Sequence, residues 1–200
     1  VRVMPNIAMS VGCGASGVAP GRTATDADVE KVVGIFACGG VAVKIDESEI
    51  DDVAALSGSG AAYVYLLIEA LRDGTIDMIA TDHAPHSAEE KSRGLEKSAF
   101  GITGLETAFP VLWTGLVEPG IIGRERLTEL MSTAPARRFG IESGIELGKP
   151  ASLAVFDVST TYTIDPAAFA SKGRATPFEG RQVRGRCVLN ICRGREVWRA

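Results

Sequence analysis

An apolar run that stops abruptly at metal-capable side chains constrains this chain most. Ile76, Met78, Ile79 and Ala80 are apolar. Asp82, His83 and His86 follow, with Pro85 breaking any regular structure. The pattern predicts a short buried strand, Ile76 to Ala80, ending in a polar cluster that holds both histidines of the chain. A carboxylate and imidazoles at the C-terminal end of a buried strand are where α/β enzymes place their chemistry. Asp82 can serve as a metal ligand or a general base. His86 lies beyond the proline and suits a substrate anion. The simpler alternative is a capped turn in which Asp82 bonds backbone amides.

The 200 residues suffice for one domain or two small ones, and 46% hydrophobic with 23% charged residues is an ordinary globular composition. A net charge of -4 argues against capture of nucleic acid or of an anionic membrane surface. Arginines concentrate between Arg174 and Arg199. They could bind an anion, or simply be solvated on an exposed sheet. The cysteines, Cys13, Cys38, Cys187 and Cys192, form no C-x-x-C pair and no zinc-finger spacing, so reduced thiols and a cytoplasmic location are expected. No apolar run approaches the ~20 residues of a membrane span. No long apolar segment follows Val1-Arg-Val-Met-Pro5, so no signal peptide is expected, and the chain is expected to start inside a larger protein.

Residues 1 to 20 read as small and glycine-rich, with Pro5-Asn6 and Gly12-Cys-Gly14 as breakers and Val1 to Val3 as part of a strand. Thr25-Asp-Ala-Asp28 has the capping-box shape, and Val29, Val32, Val33 and Phe36 then recur at helical spacing up to Gly39-Gly40. Val41 to Ile45 is a predicted strand. Ser57-Gly-Ser-Gly60 is a predicted turn that opens a long apolar helix, Ala61 to Leu71. Residues 87 to 98 read as an exposed loop or short helix. Two helices follow, Gly104 to Leu116 and Arg124 to Phe139, the second interrupted near Pro135 and stopped by Gly140. From Ser152 onward the pattern is β, with a turn at Arg193-Gly194.

The stretch Ile76-Asp-Met-Ile-Ala-Thr-Asp-His-Ala-Pro-His86, with Glu89-Glu-Lys91, resembles the last-strand motif of class I dihydroorotases of the amidohydrolase superfamily. The likeness continues through Ala99-Phe-Gly-Ile-Thr-Gly-Leu-Glu106, Met131-Ser-Thr-Ala-Pro-Ala-Arg137, Gly148-Lys-Pro-Ala-Ser-Leu153 and Thr176-Pro-Phe-Glu-Gly180, and so covers roughly residues 74 to 200. It implies a TIM-type barrel and reversible hydrolysis of the cyclic amide of dihydroorotate to carbamoyl aspartate, in pyrimidine synthesis. Asp82 would ligate a binuclear zinc centre and shuttle the proton. His86 would bind the substrate carboxylate, with Phe100 and Gly101 as further substrate contacts. Ala99 stands where the family usually has Pro, and Ser152 where it has Asp. The family's His-x-His, bridging acid and other histidines have no counterpart. Zinc needs about three or four protein ligands, so two histidines in one motif cannot assemble that centre, and activity of this chain alone is not expected.

The first part resembles a different family. Val1-Arg-Val-Met-Pro-Asn6, Ala55-Leu-Ser-Gly-Ser-Gly60 and Ala62-Tyr63 through Glu69-Ala-Leu71 are similar to pyrroline-5-carboxylate reductase over roughly residues 1 to 73. The likeness implies NAD(P)H as cofactor, Asn6 as its neighbour, and Ser57, Gly58, Ser59 and Gly60 as substrate contacts at a helix entry. The family has Pro where Ala61 stands, and its N-terminal G-x-G-x-x-G loop is expected to be absent.

The expected organisation is mixed α/β. A partial Rossmann end with helices covers residues 1–73, the last strand and helices of a TIM-type barrel cover 74–150, and a small β-sheet covers 151–200. The two likenesses meet at Glu69-Ala-Leu-Arg-Asp-Gly74, which points to a join of two gene fragments. A small-molecule substrate is the expected partner, with no nucleic acid and no membrane. Homo-oligomers, or association through exposed fold edges, are the further expectation. A non-catalytic scaffold is the third reading.

Overall fold

Strand β2 (Gly14–Ala19) sits at the centre of a three-stranded sheet, in a stretch whose sequence reads only as small and glycine-rich. The computed structural model describes residues 1–94 and 96–200. They form two units, Val1–Ala70 and Leu71–Ala200. In the first, β1 (Arg2–Met4) pairs antiparallel with β2, and β3 (Gly40–Lys44) pairs parallel with it, from Gly14↔Gly40 to Val18↔Lys44. The parallel pair needs a crossover, and helix α1 (Asp26–Ala37) supplies it. Thr25 and Asp28 close the predicted capping box. Val29 is buried on the inner face of α1, with Val32, Val33 and Phe36 partly covered beside it.

The sequence of β2 explains why it escaped pattern reading. Gly-Ala-Ser-Gly-Val-Ala has no period-two alternation, because a strand buried on both faces needs none. Its small residues are instead required by close neighbours. Gly40 has φ +140, and a Cβ there would lie 2.2 Å from the Gly14 carbonyl oxygen. Val18 and Ala19 are fully buried, and Ile50 packs in the same core.

Helix α2 runs unbroken from Glu47 to Asp73. The predicted turn at Ser57–Gly60 is therefore corrected: Ala54–Ser59 forms a π-helical turn inside the helix, and Gly60 has helical dihedrals, φ -58 and ψ -35. Ala61 gives the physical reason. A proline there would disfavour the helical region for residue 60 and remove an N–H, whereas alanine lets the helix run through. Its length and apolar composition are enough to cross a membrane, an exception to the expectation that no apolar run comes near that length. Leu56, Tyr63, Val64, Tyr65, Leu66 and Leu67 are exposed on it.

In the second unit, α3 (Ala88–Lys91) is short. Helix α4 (Leu105–Val117) becomes π-helical from Trp113, and α5 (residues 124–139) does so between Glu129 and Thr133 before Pro135 restarts it. Gly140 ends α5 in the left-handed conformation. Ile122, Leu127 and Leu130 form the buried cluster, with Leu71, Ile79, Phe109, Leu112 and Leu116 packed on it. Leu105, although at helical spacing from Phe109 and Leu112, is exposed.

The predicted buried strand Ile76–Ala80 is also corrected. Among the described residues this segment joins no sheet, and only an isolated parallel bridge, His83↔Ile102, follows it. A parallel barrel strand needs partners on both sides. Here Ile79 N–H donates instead to the Leu130 carbonyl at 3.0 Å, and Ala80 is exposed. Arg126 fixes the start of the segment: its guanidinium donates to the Leu71 carbonyl at 2.9 Å, to the Ile76 carbonyl at 2.8 Å and to Glu129 at 2.6 Å. The C-terminal region is β as expected but forms two sheets instead of one, the larger with β4 (Leu153–Asp157), β7 (Arg186–Cys192) and β8 (Arg195–Arg199) in antiparallel order β4-β7-β8. Beside it, β5 (Tyr162–Thr163) pairs with β6 (Gln182–Val183).

Candidate functional site

The turn 81–86 is held against residues 101–105. Ala84 N–H donates to the Ile102 carbonyl at 3.0 Å. Gly101 has φ +124 and lies flat on Ala84, where a Cβ would come 2.6 Å from the Ala84 carbonyl oxygen. A Cβ at Gly104 would come 2.8 Å from the Thr81 carbonyl oxygen. A second strap crosses below: Thr103 N–H donates to the Ala175 carbonyl at 2.8 Å, and Gly173 packs on Pro85. Thr103 is fully buried, and its hydroxyl has no partner among the described residues.

Asp82 projects from this turn into solvent, with φ +43. Its neighbour His83 carries a contact that the sequence reading assigned to no one: Nδ1 accepts the N–H groups of Gly104 at 3.1 Å and Leu105 at 3.3 Å. These are unsatisfied donors at the start of α4, which has no side-chain cap of its own. The signal was an uncapped glycine helix start. His86 is partly buried, with Nδ1 3.7 Å from Glu90. Glu90 closes a capping box with Ser87, whose N–H and hydroxyl hold the Glu90 carboxyl below its usual range. Phe100 is 93% exposed beside Gly101. The turn thus brings Asp82, His83, His86, Phe100 and Gly101 into one neighbourhood.

The zinc centre implied by the resemblance is not met by these side chains. Among the described residues no group of three or more His, Cys, Asp or Glu could hold a metal ion. His83 already spends Nδ1 on backbone amides, and His86 faces a carboxylate. A depression of about 470 Å³ opens between Phe109, Trp113, Thr128 and Thr133, rimmed by Arg124 and Glu129, and none of the predicted site residues lines it.

In the first unit, Asn6 and Ser57 are brought together. Asn6 Nδ2 donates to the Ser57 carbonyl at 3.3 Å, and Asn6 Oδ1 accepts Ala15 N–H at 3.0 Å. Ser57 Oγ donates back to the Val53 carbonyl at 2.9 Å. A Cβ at Gly58 would meet Met4 Cε at 2.6 Å, so this glycine serves packing. Ser59 is exposed and Gly60 lies within the helix. None of the four marks a helix entry with free amides. The spacing G-x-G-x-x-G, expected to be absent, does occur literally as Gly12, Gly14 and Gly17. It leads into strand β2 instead of out of a strand into a helix, and Gly14 and Gly17 are covered by Met9, Ile45 and Val53. That context is not a phosphate cradle. The arginine-rich stretch is likewise engaged locally. Arg174 donates to the Phe169 and Ser171 carbonyls, Arg184 reaches Thr161 and Glu118, and Arg186 stacks 4.3 Å over the Tyr162 ring.

These features define a mixed α/β chain with a β-α-β unit followed by a clamped carboxylate turn, helices and a small sheet. Comparison with known proteins assigns the parts. A dihydroorotase of Bacillus thuringiensis (strain Al Hakam) is 51% identical over 133 residues, 66% of this chain and 31% of that protein. A continuous stretch of that length in a chain of 200 residues contains the Asp82 turn wherever it begins. The family described as pyrroline-5-carboxylate reductase dimerisation matches residues 47–106. Dihydropyrimidinase from Brevibacillus agri NCHU1002 superposes with a TM-score of 0.62 at 28% identity, covering 67% of this chain and 31% of that one. Plasmodium falciparum pyrroline carboxylate reductase is 39% identical over 36% of this chain and 30% of its own, with a TM-score of 0.35, at which a shared fold does not follow. The chain joins a dihydroorotase-like fragment to one like pyrroline-5-carboxylate reductase, and the two matches overlap instead of meeting at a sharp edge. It spans about a third of the length of the curated relatives it matches.

Proposed function

We propose that the second unit is the carboxylate-bearing part of a cyclic amidohydrolase of dihydroorotase type. Asp82 would exchange a proton with the ring amide, His86 would receive the substrate carboxylate, and Phe100 and Gly101 would border the substrate. The observation that carries this reading is the clamped turn that presents Asp82, inside a stretch 51% identical to a dihydroorotase. Zinc is the metal expected of that family. The residues present supply too few ligands for it, so these 200 residues alone turn over no dihydroorotate with zinc added. Supplying the missing barrel strands on a second chain restores hydrolysis, and Asp82→Ala removes it. A mixture that stays inactive, or turnover by the chain alone that Asp82→Ala abolishes, overturns one half of this reading each.

A second reading applies to the first unit. The match to a dimerisation family starts at the beginning of α2 and runs on to residue 106, and the exposed apolar side chains of α2 favour a self-associating helix of reductase lineage. Leu66→Glu converts the associated form to monomer in size-exclusion chromatography; an unchanged elution volume removes the reading. NAD(P)H binding would belong to the same lineage, and a cytoplasmic place to both. Saturable micromolar NADPH binding would show that a cofactor site survives despite the covered glycines.

A further inference from the structure

We propose that His83 is a positioning residue for Asp82: its imidazole sits on the N-terminus of α4 and thereby holds the aspartate in a left-handed backbone conformation with its carboxylate in solvent. The importance of that carboxylate rests on the reading above; the conformational claim stands by itself.

The backbone on either side of Asp82 is tied to one short segment. Thr81 lies over Gly104, close enough that a Cβ on the glycine would come 2.8 Å from the Thr81 carbonyl oxygen. His83 Nδ1 accepts from Gly104 and Leu105, and Ala84 N–H donates to Ile102. With residues 81, 83 and 84 fixed on 102–105, the chain is left with a sharp reversal at residue 82. That reversal requires φ +43 from a residue that carries a Cβ. The left-handed region costs such a residue about 1 kcal/mol. Glycine would make the same turn without the cost, but it has no carboxylate to present.

The contact also fixes the chemistry of the ring. A nitrogen that accepts two N–H groups carries no proton, so the neutral imidazole keeps its proton on Nε2. His86 is not an equivalent anchor, because its Nδ1 faces Glu90. The nearest rival account makes His83 only a cap for α4, without influence on residue 82.

Urea unfolding of the full chain separates the two accounts. Asp82→Gly releases the left-handed strain and raises the midpoint of the second unit. In a His83→Phe background, which keeps a ring but has no acceptor, the rise vanishes. In a His83→Asn background, which retains an acceptor, the rise returns. An equal rise in all three backgrounds overturns the proposal in favour of a plain cap. The unmodified chain gives a readout that needs no variant to fold. Imidazole nitrogen NMR shows a bare Nδ1 and a protonated Nε2 for His83, and a proton on Nδ1 overturns the proposal. Neither result depends on hydrolysis, so a failed dihydroorotase complementation leaves both interpretable.

Discussion

Two segments read as binding sites in the sequence, Ser57–Gly60 and Asp82–His86, and their fates differ. The first has disappeared into α2, with its serine hydroxyl bonded to the preceding turn. The second survives as a clamped turn although the strand before it has not formed. The difference lies in where each motif keeps its contacts. The Asp82 turn is held by residues about twenty positions on, within the same unit, and two glycines let those residues approach. The Ser-Gly-Ser-Gly motif is flanked by alanines and leucine, strong helix formers, and with Ala61 nothing stops the helix. A motif keeps its shape when the residues that enforce it travel with it.

The contrast breaks most severely at Gly101. Gly101→Ala forces a side chain into φ +124 and against Ala84, and it costs the second unit about 3–5 kcal/mol. Chemical denaturation would show the second unit melting early and the first unit unmoved. Ala61→Pro works in the opposite direction, by restoring a stop. It splits α2 near residue 60 at a cost of about 3 kcal/mol in helix stability, visible as lost helical circular dichroism and new proteolytic cleavage near Ser57–Gly60. If the helix stays continuous, Ala61 is not what absorbed the motif. Arg126→Ala frees the Leu71 and Ile76 carbonyls and costs about 2 kcal/mol. Amide exchange should speed up over residues 71–79 while Gly104 and Leu105 stay protected, which would show that the turn does not lean on the segment before it.

The smallest effect is a matter of pH. Asp157 accepts from the hydroxyl and N–H of Ser159 and from Thr160, and these bonds hold its carboxyl far below the usual range. A depressed carboxyl stabilises the fold above its unfolded pKa and loses that contribution as pH falls through the folded value. Asp157→Asn therefore weakens the sheet at neutral pH, and the gap to the parent chain closes only well below about pH 4. A gap that persists unchanged into strong acid would place the contribution elsewhere.

What was legible was local. The Thr25–Asp28 capping box, the Gly140 stop and the Arg193-Gly194 turn each depend on neighbours a few positions away, and each formed. The carboxylate turn was legible only in its run of polar residues after Ala80, because the segment that clamps it lies about twenty positions on. Strand β2 was not, because its glycines answer to Met9, Gly39, Ile45 and Val53 and not to a periodic pattern. The π-helical turns have no sequence signature at this level. The role of His83 was hidden by the 21 positions that separate it from Gly104, a contact only the folded chain brings together.

The two three-stranded sheets also end in different ways, with consequences for handling the protein. Strand β8 presents Arg195, Glu196 and Arg199 on a fully exposed edge, and charge there discourages an incoming strand. Among the described residues, strand β3 presents Val41 and Val43, both exposed, along an unpaired edge on which Lys44 is the charged residue. Turbidity on concentration should therefore begin at β3, and a single lysine in place of Val41 should delay it, whereas neutralising β8 should open a second route to fibres.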